Sequence, residues 1–396
     1  MEFFNNENNN IKFENEVPFR YLQFSNLNCL KNKEYGNFEI LDSTKCKIDT
    51  LNKIDERYRK AATRYLHEYE LIRFFCKKSV ISRAYFKMYE MIYSSELIKK
   101  INLNCFFICE APGGFIEAVS DIRRKQNLKT DYISISKQSE IKYNYYLEQN
   151  NLLDGDITNV SVIDNTIKTV LNKFPDKLDL ITADGGFDVK IFNGQEIITN
   201  HLLLAEIYLA LSTQKINGTF IIKFFDMFTH NSIVMYMLLS NCYKYIKIIK
   251  PNTSVKCNSE RYLICESFLG IGNKMLDDLY NILDKYIYCS PKDTFGIYTI
   301  IYPNINPNIN LGNLDNLKKF NNSILQIQVE FINESIKMVE NKNKFLQSIF
   351  FKIFIDKITT DYIFFYKNIL NSRIRKCISF LKKHNINTNQ YGRSYM

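Results

Sequence analysis

A lysine at position 223 interrupts the apolar run "TFIIKFF". A charge in the middle of a strand of buried type is costly unless it is paired or put to use. Three further charged residues stand at or near the ends of strand-like or helical segments: Lys87 in "SRAYFKMYEM", Asp184 in "LITADGG" and Glu260 in "NSERYLIC". Two lysines and two acids suit the removal of a proton from a weakly acidic hydroxyl. A lysine serves as that base only if its pKa is pulled down. A second cation and partial burial do this, while carboxylates fix orientation and balance charge. Taken singly, Lys87, Asp184 or Glu260 is more commonly an ordinary surface or salt-bridge residue, and Lys223 is the most informative of the four.

A second group of residues suits ligand binding. In "FICEAPGGF", residues 107–115, an apolar run stops at Glu110 and Pro112 and turns on Gly113 and Gly114. Glycines directly after a strand let the backbone approach a ligand because no Cβ intervenes. The turn is not GxGxxG and lacks the lysine and hydroxyl of a P-loop, which argues against a bound triphosphate. Glu110 sits where a carboxylate pairs with a cationic α-amino group. In "LLDGDITN", Asp156 is placed to accept from an adenine amino group, with Ile157 beside it to contact the ring. Either loop alone is also a common structural turn; the two in this order are harder to dismiss.

These residues need a scaffold, and the chain alternates short apolar runs with helical patterns from residue 105 to about 270. "CFFICE", "DYISIS", "LDLITAD" and "TFIIKFF" are each followed by a helical stretch, as in a doubly wound α/β sheet. "YKYIKIIKP" and "ERYLICESF" follow with too short a loop between them for a parallel crossover, so this pair is expected to be antiparallel. Residues 55 to about 97 are expected to be helical, with Ala61, Ala62, Tyr65, Tyr69 and Ile72 on one side and Arg57, Lys60 and Arg64 forming a basic face. Residues 1–54 read as an extended or partly ordered lead-in that begins with an asparagine tract. The expected division is therefore a lead-in over 1–54, a catalytic α/β domain with its basic helix over 55–270, and a mainly helical region over 271–396 that packs on it or binds a partner or RNA. Within that last region 271–288 and 313–385 are expected helical, with "PNINPNIN" as connector.

Composition sets bounds. With 396 residues and 46% hydrophobic content the chain can build more than one core. Fifty-two lysines and arginines against 42 acids give a net charge of +10, which suits a polyanionic partner. Ten cysteines without a CxxC pair or partnering histidines argue against a metal site and for reduced thiols in an intracellular protein. The start "MEFFNNENNN" is no signal peptide, and "FLQSIFFKIFI" is broken by Lys352 and too short to span a bilayer. A soluble, cytoplasmic protein without a membrane partner is expected.

Six stretches, "SRAYFKMYEM", "EAPGGF", "GDIT", "ADGGFDV", "IKFFDMFT" and "KPNTSVKCNSERYLIC", occur in one order between about Ser82 and Phe268. Together they resemble the FtsJ-like ribose 2'-O-methyltransferases, and the last three look closest to the mRNA cap enzymes among them. The resemblance implies the Rossmann-like fold of S-adenosyl-L-methionine-dependent methyltransferases, a mostly parallel sheet with an antiparallel last strand. It implies a tetrad of Lys87, Asp184, Lys223 and Glu260. In that tetrad Lys223 is the general base, Lys87 and Asp184 depress its pKa and help position the methyl group, and Glu260 orients Lys87 or the ribose. It implies cofactor contacts by Glu110, Pro112, Gly113, Gly114, Phe115, Asp156, Ile157 and Asp184, with none assigned in "SISKQSE".

The implied substrate is the single-stranded 5' end of capped mRNA rather than DNA, because only ribose carries a 2'-hydroxyl. The implied product is cap-1 RNA, with other capping or transcription subunits as further partners. A ribosomal or transfer RNA 2'-O-methyltransferase and a catalytically dead accessory subunit are the alternatives; the long flanks and "KFFDMFT" favour the cap enzyme, and an intact tetrad argues against the dead subunit. Heavy use of asparagine, isoleucine and lysine with no tryptophan reflects an AT-rich genome. Beside these motifs it suggests a large cytoplasmic DNA virus or an AT-rich protist.

Overall fold

The computed structural model describes residues 20–24, 31, 33–52, 63–64, 66–137, 147–186, 195–286, 297–301, 311–340 and 367–390. Within them the chain runs through β1 (Arg20–Phe24), α1 (Phe38–Asn52), α2 (Ile72–Phe75) and α3 (Ala84–Ile92) before the central sheet begins. That sheet is built from β2 (Asn104–Ile108), β3 (Asp131–Ser136), β4 (Leu152–Asp154), β5 (Leu178–Ala183), β6 (Gln214–Phe225), β7 (Tyr243–Ile249) and β8 (Glu260–Phe268). Its helices are α4 (Gly114–Arg124), α5 (Val160–Lys173), α6 (Gln195–Ile198), α7 (Asn200–Thr213) and α8 (His230–Cys242). After it come α9 (Asn273–Tyr286), β9 (Ile297–Ile301), α10 (Leu311–Glu340) and α11 (Lys367–Lys383).

The seven strands lie in the order β4-β3-β2-β5-β6-β8-β7. All neighbouring pairs from β4 to β6 are parallel, and β8 runs antiparallel to both β6 and β7. The strand order reverses between β2 and β5, so a crevice opens beyond their carboxyl ends, where ligands bind in open α/β sheets. Strands covered on both faces read as continuous apolar runs, which is why they were legible. Alternate residues of β2 feed two cores. Phe106 and Ile108 join the cluster that includes α5, α7 and α8, whereas Cys105 and Phe107 join that of α2, α3, α4 and α11.

Two local expectations give way. The lead-in over 1–54 contains helix α1 and strand β1, and β1 pairs with β9 from the far end of the chain. The stretch over 55–97 is not one helix among its described residues. Backbone pairing of Cys76 with Thr388, of Lys77 N–H with Asn387 O (2.8 Å) and of Asn389 N–H with Phe75 O (3.0 Å) draws the chain into extended form between α2 and α3. Arg57, Lys60, Ala61, Ala62, Tyr65, the asparagine tract, the helix expected after "DYISIS", the connector "PNINPNIN" and the "FLQSIFFKIFI" segment lie outside the described residues.

Arg123, fully buried on α4, donates to the carbonyls of Ile98, Lys100, Ile101 and Lys129 at 2.6–3.0 Å, tying together the loops that enter β2 and β3. Replacing it with methionine strands several buried carbonyls, each of which loses a charge-assisted bond. Arg123→Met is expected to lower unfolding stability by about 3 kcal/mol or more in urea titration; a loss under about 1 kcal/mol would show that water takes over those carbonyls.

Candidate active site

The four charged residues singled out by sequence come together at the carboxyl end of the sheet as two ion pairs. Antiparallel pairing sets Phe225 opposite Glu260 and Lys223 opposite Tyr262, so β6 and β8 deliver their charges side by side. Helix α3 brings Lys87, whose ammonium lies 2.9 Å from both Glu260 oxygens. Asp184 follows the last residue of β5. Lys223 Nζ lies 3.1 Å from its Oδ1 and donates to its main-chain carbonyl at 2.7 Å. Tyr262 bridges the pairs: its hydroxyl donates to Asp184 Oδ1 at 2.8 Å, and Lys87 Nζ stands 6.0 Å from its ring centre.

The electrostatics correct one expectation. Burial works against the Lys223 ammonium, but Asp184, Glu260 and Glu206 outweigh it and hold its pKa above the ordinary value. Asp184 therefore stabilises the charged lysine, as any carboxylate at 3.1 Å must. Lys87 is engaged with Glu260. Burial alone would raise the Glu260 carboxyl, but Lys87, Lys250 and Lys223 draw it well below the usual carboxylate range. Ser254 Oγ donates to the same carboxylate. Lys250 closes the preceding loop by donating to Asn258 O at 2.6 Å and Glu260 O at 2.9 Å, and burial brings its pKa down to about 8.

Four of these partners were missed in the sequence. Glu206 lies on α7, is buried, and accepts from Gly185 N–H at 2.9 Å; burial pushes its pKa up to about 8 although Lys223 pulls the other way. A lone acid in "NHLLLAEIYLALS" is the same anomaly that exposed Lys223, and it was available. Tyr262 shares a strand face with Glu260 two residues earlier, but nothing local separates it from the other 25 of the 26 tyrosines. Lys250 and Ser254 lie within "KPNTSVKCNSERYLIC" without any feature of their own.

The glycine turn adjoins this cluster. Asp184 N–H donates to Ile108 O at 3.3 Å, and Ala111 N–H to Ser136 Oγ at 2.9 Å, joining the ends of β2, β5 and β3. Gly113 takes φ +110° and precedes the first residue of α4. A Cβ on Gly114 would lie 2.2 Å from Ser82 Oγ and 3.1 Å from Tyr85 N, so this glycine lets the start of α3 press against the turn. Half-buried Pro112 completes the turn. Glu110 is buried; it accepts the Phe115 N–H and makes no ion pair among the described residues. Burial first and Asp184 second push its carboxyl well above the ordinary range. A buried carboxylate in that state fits a cationic amino group, the chemistry of the amino-acid end of S-adenosyl-L-methionine.

Asp156 stands beyond β4. Thr158 donates to its Oδ1 from the amide at 3.0 Å and the hydroxyl at 2.6 Å, and Lys137 Nζ lies 3.0 Å from Oδ2. Phe115 and Ile157 are buried in the two cores, Phe115 with its ring 6.2 Å from that of Tyr262. Ile157 directly follows Asp156, and its side chain packs in the core.

A mostly parallel sheet with this strand order, an antiparallel strand inserted beside its edge and a glycine turn after its first strand is the Rossmann-like methyltransferase fold. Residues 80–268 match the FtsJ-like methyltransferase family. The chain is 33% identical over 282 residues to the human cap-specific mRNA (nucleoside-2'-O-)-methyltransferase 1, covering 63% of this chain and 33% of the relative. It is 28% identical over 250 residues to the cap-specific mRNA (nucleoside-2'-O-)-methyltransferase 2 of Drosophila melanogaster, covering 55% and 34%. It thus spans about a third of the length of these curated relatives. Among solved structures, a ribosomal RNA methyltransferase from Plasmodium falciparum aligns at 22% identity over 48% of this chain and 99% of that one, with a TM-score of 0.37.

Glu206 makes stability depend on pH. Its folded carboxyl keeps its proton to about pH 8, whereas the unfolded one loses it near 4.5, so its contribution is full below that lower value and is lost as pH rises through the upper one. Glu206→Gln keeps an acceptor for Gly185 N–H and cannot ionise. Its melting temperature relative to the parent protein is expected to climb between about pH 5 and pH 9; a constant offset would mean that the folded carboxyl titrates normally.

Proposed function

We propose that this chain is an S-adenosyl-L-methionine-dependent RNA ribose 2'-O-methyltransferase that acts on the first transcribed nucleotide of capped mRNA. The observation that carries the reading is the meeting of the Lys87–Glu260 and Lys223–Asp184 pairs beside the Glu110 turn. The names of the curated relatives support capped mRNA as substrate. Bound S-adenosyl-L-methionine supplies an electrophilic methyl group on a sulfonium cation. Glu110 is available to its amino group, and the turn of Pro112, Gly113 and Gly114 to its amino-acid backbone. Asp156 would hold the adenine end in place of Lys137, and Asp184, which joins the turn to Lys223, would help to hold the group beside the tetrad.

In this reading Lys223 Nζ takes the proton of the ribose 2'-oxygen. Asp184 holds that nitrogen in place with its carboxylate and carbonyl, and Tyr262 holds Asp184. Glu260 fixes Lys87, which faces the same ribose. Because Asp184 and Glu260 keep Lys223 protonated, its base form is scarce at neutral pH, and turnover rises with pH.

A cluster of cations next to the tetrad suits the phosphates. Glu70 gathers Arg64 and Arg83, each at 2.7 Å, and Glu68 gathers Lys376 at 2.9 Å and Lys256 at 3.4 Å. Arg83 lies one helical turn from Lys87, and Lys256 lies four residues before Glu260, so phosphates bound there would bring a ribose of the same strand near the tetrad. Lys376 comes from α11, beyond the family segment.

The test is transfer of labelled methyl to matched RNAs bearing an N7-methylguanosine cap, an unmethylated guanosine cap or a 5'-triphosphate. Incorporation at the first ribose of the N7-methylated capped RNA, rising with pH to about 9 and abolished by Lys223→Ala, is expected. Indifference to the cap would reassign the chain to general RNA 2'-O-methylation, including ribosomal or transfer RNA. Cofactor binding without transfer to any RNA would make it an accessory subunit.

A further inference from the structure

On the other face of the two catalytic strands lies a second charged cluster, buried and separate from the tetrad. Asp226 directly follows β6, three residues beyond Lys223, in the left-handed conformation at φ +51°, which is uncommon for a non-glycine residue. Its carboxylate lies 3.0 Å from Lys45 Nζ and 3.0 Å from Arg261 Nη2. Burial would raise that carboxyl, but Lys45, Arg261 and Lys31 draw it below its ordinary range. Its amide donates to Ser259 O at 3.1 Å, extending the β6–β8 ladder one step past the Phe225–Glu260 pair.

Arg261 is wholly buried and follows Glu260 directly, so the two side chains leave β8 on opposite faces. Glu260 meets Lys87, while Arg261 donates to Asp226 and, through Nη1, to Asn321 Oδ1 on α10. Asn321 is also wholly buried, and its amide group donates to Tyr35 O at 2.8 Å and Met227 O at 2.9 Å. Lys45, from α1, completes the cluster by donating to Ser259 Oγ at 3.2 Å. Each of these bonds involves a residue within four positions of Lys223 or Glu260, or ends on the segment before α1.

We propose that Lys45 and Asn321, on helices outside the matched family segment, are positioning residues for the reaction. They hold Asp226 and Arg261 and thereby fix the strand ends that aim Lys223 and Glu260. The proposal rests on the reading that those two residues are catalytic. A substrate held in line is sensitive to displacements of this kind, because a shift of about 1 Å at the reacting groups costs on the order of a hundredfold in rate.

Lys45→Met, Lys45→Arg and Asn321→Leu in the full chain test this, with kcat, KM for capped RNA, cofactor affinity, thermal midpoint and hydrogen exchange at residues 223–227 and 258–262 measured on each. Lys45→Met and Asn321→Leu are expected to lower kcat by about tenfold or more while KM and cofactor affinity stay within about threefold. Faster exchange at the two strand ends is expected in both, and Lys45→Arg should restore rate and protection. Unchanged kcat, or a loss of activity that only follows the folded fraction, would overturn the proposal. If the parent protein methylates no RNA, the functional reading falls. Exchange then decides positioning by itself, with unaltered protection at the strand ends in both variants refuting it.

Discussion

A lysine can sit inside an apolar strand only if a carboxylate meets it, and the pairing of Lys223 with Asp184 is the contact around which this sheet end is organised. It requires β5 and β6 to be parallel neighbours, with their carboxyl ends level. Once that is met, the antiparallel β8 brings Glu260 alongside and α3 lays Lys87 over it, so that two cations and two anions share one crevice with no charge left alone. Glu206 accepts from the Gly185 amide next to this pair, and Tyr262 donates to Asp184 itself. Stability and chemistry pull in different directions at Lys223, because the neighbours that permit its burial are those that keep it protonated.

Much of this was visible in the residues. Strands covered on both faces write their burial into consecutive positions, so "CFFICE", "LDLITAD" and "TFIIKFF" declared themselves, and the short loop before "ERYLICESF" dictated the antiparallel partner. Lys223 was conspicuous for the same reason, and motif order extended the inference to Lys87, Asp184 and Glu260. The break in the helix expected over 55–97 was not visible, because its cause is a backbone partner from the far end of the chain, as in the pairing of Cys76 with Thr388. Tyr262 could not be chosen from a sequence rich in tyrosine. The direction of the Lys223 shift was misjudged for a different reason: it depends on which charge stands nearest, and only coordinates tell Lys87 from Asp184 in that respect.

The turn that raised the question of a ligand does two things at once. Gly114 admits the start of α3, the helix that carries Lys87, while Glu110 stays buried beneath the helix it caps. The proposed cofactor loop and one half of the tetrad are thus a single packed unit. The same helix, through Glu90, accepts from Asn252 N–H at 3.0 Å and from Thr253, so the loop that leads to Glu260 is fastened to it as well.

Asn321 joins Tyr35 across 286 positions of the chain, and β1 waits similarly for β9. During synthesis the amino-terminal helix leaves the ribosome long before its partners exist, and the strand ends that bear Lys223 and Glu260 are translated while the far side of their support is still missing. Contacts of such separation form late. A nascent chain halted before α10 therefore holds Lys87, Asp184, Lys223 and Glu260 and yet not the finished geometry around them, because Asn321 has still to arrive.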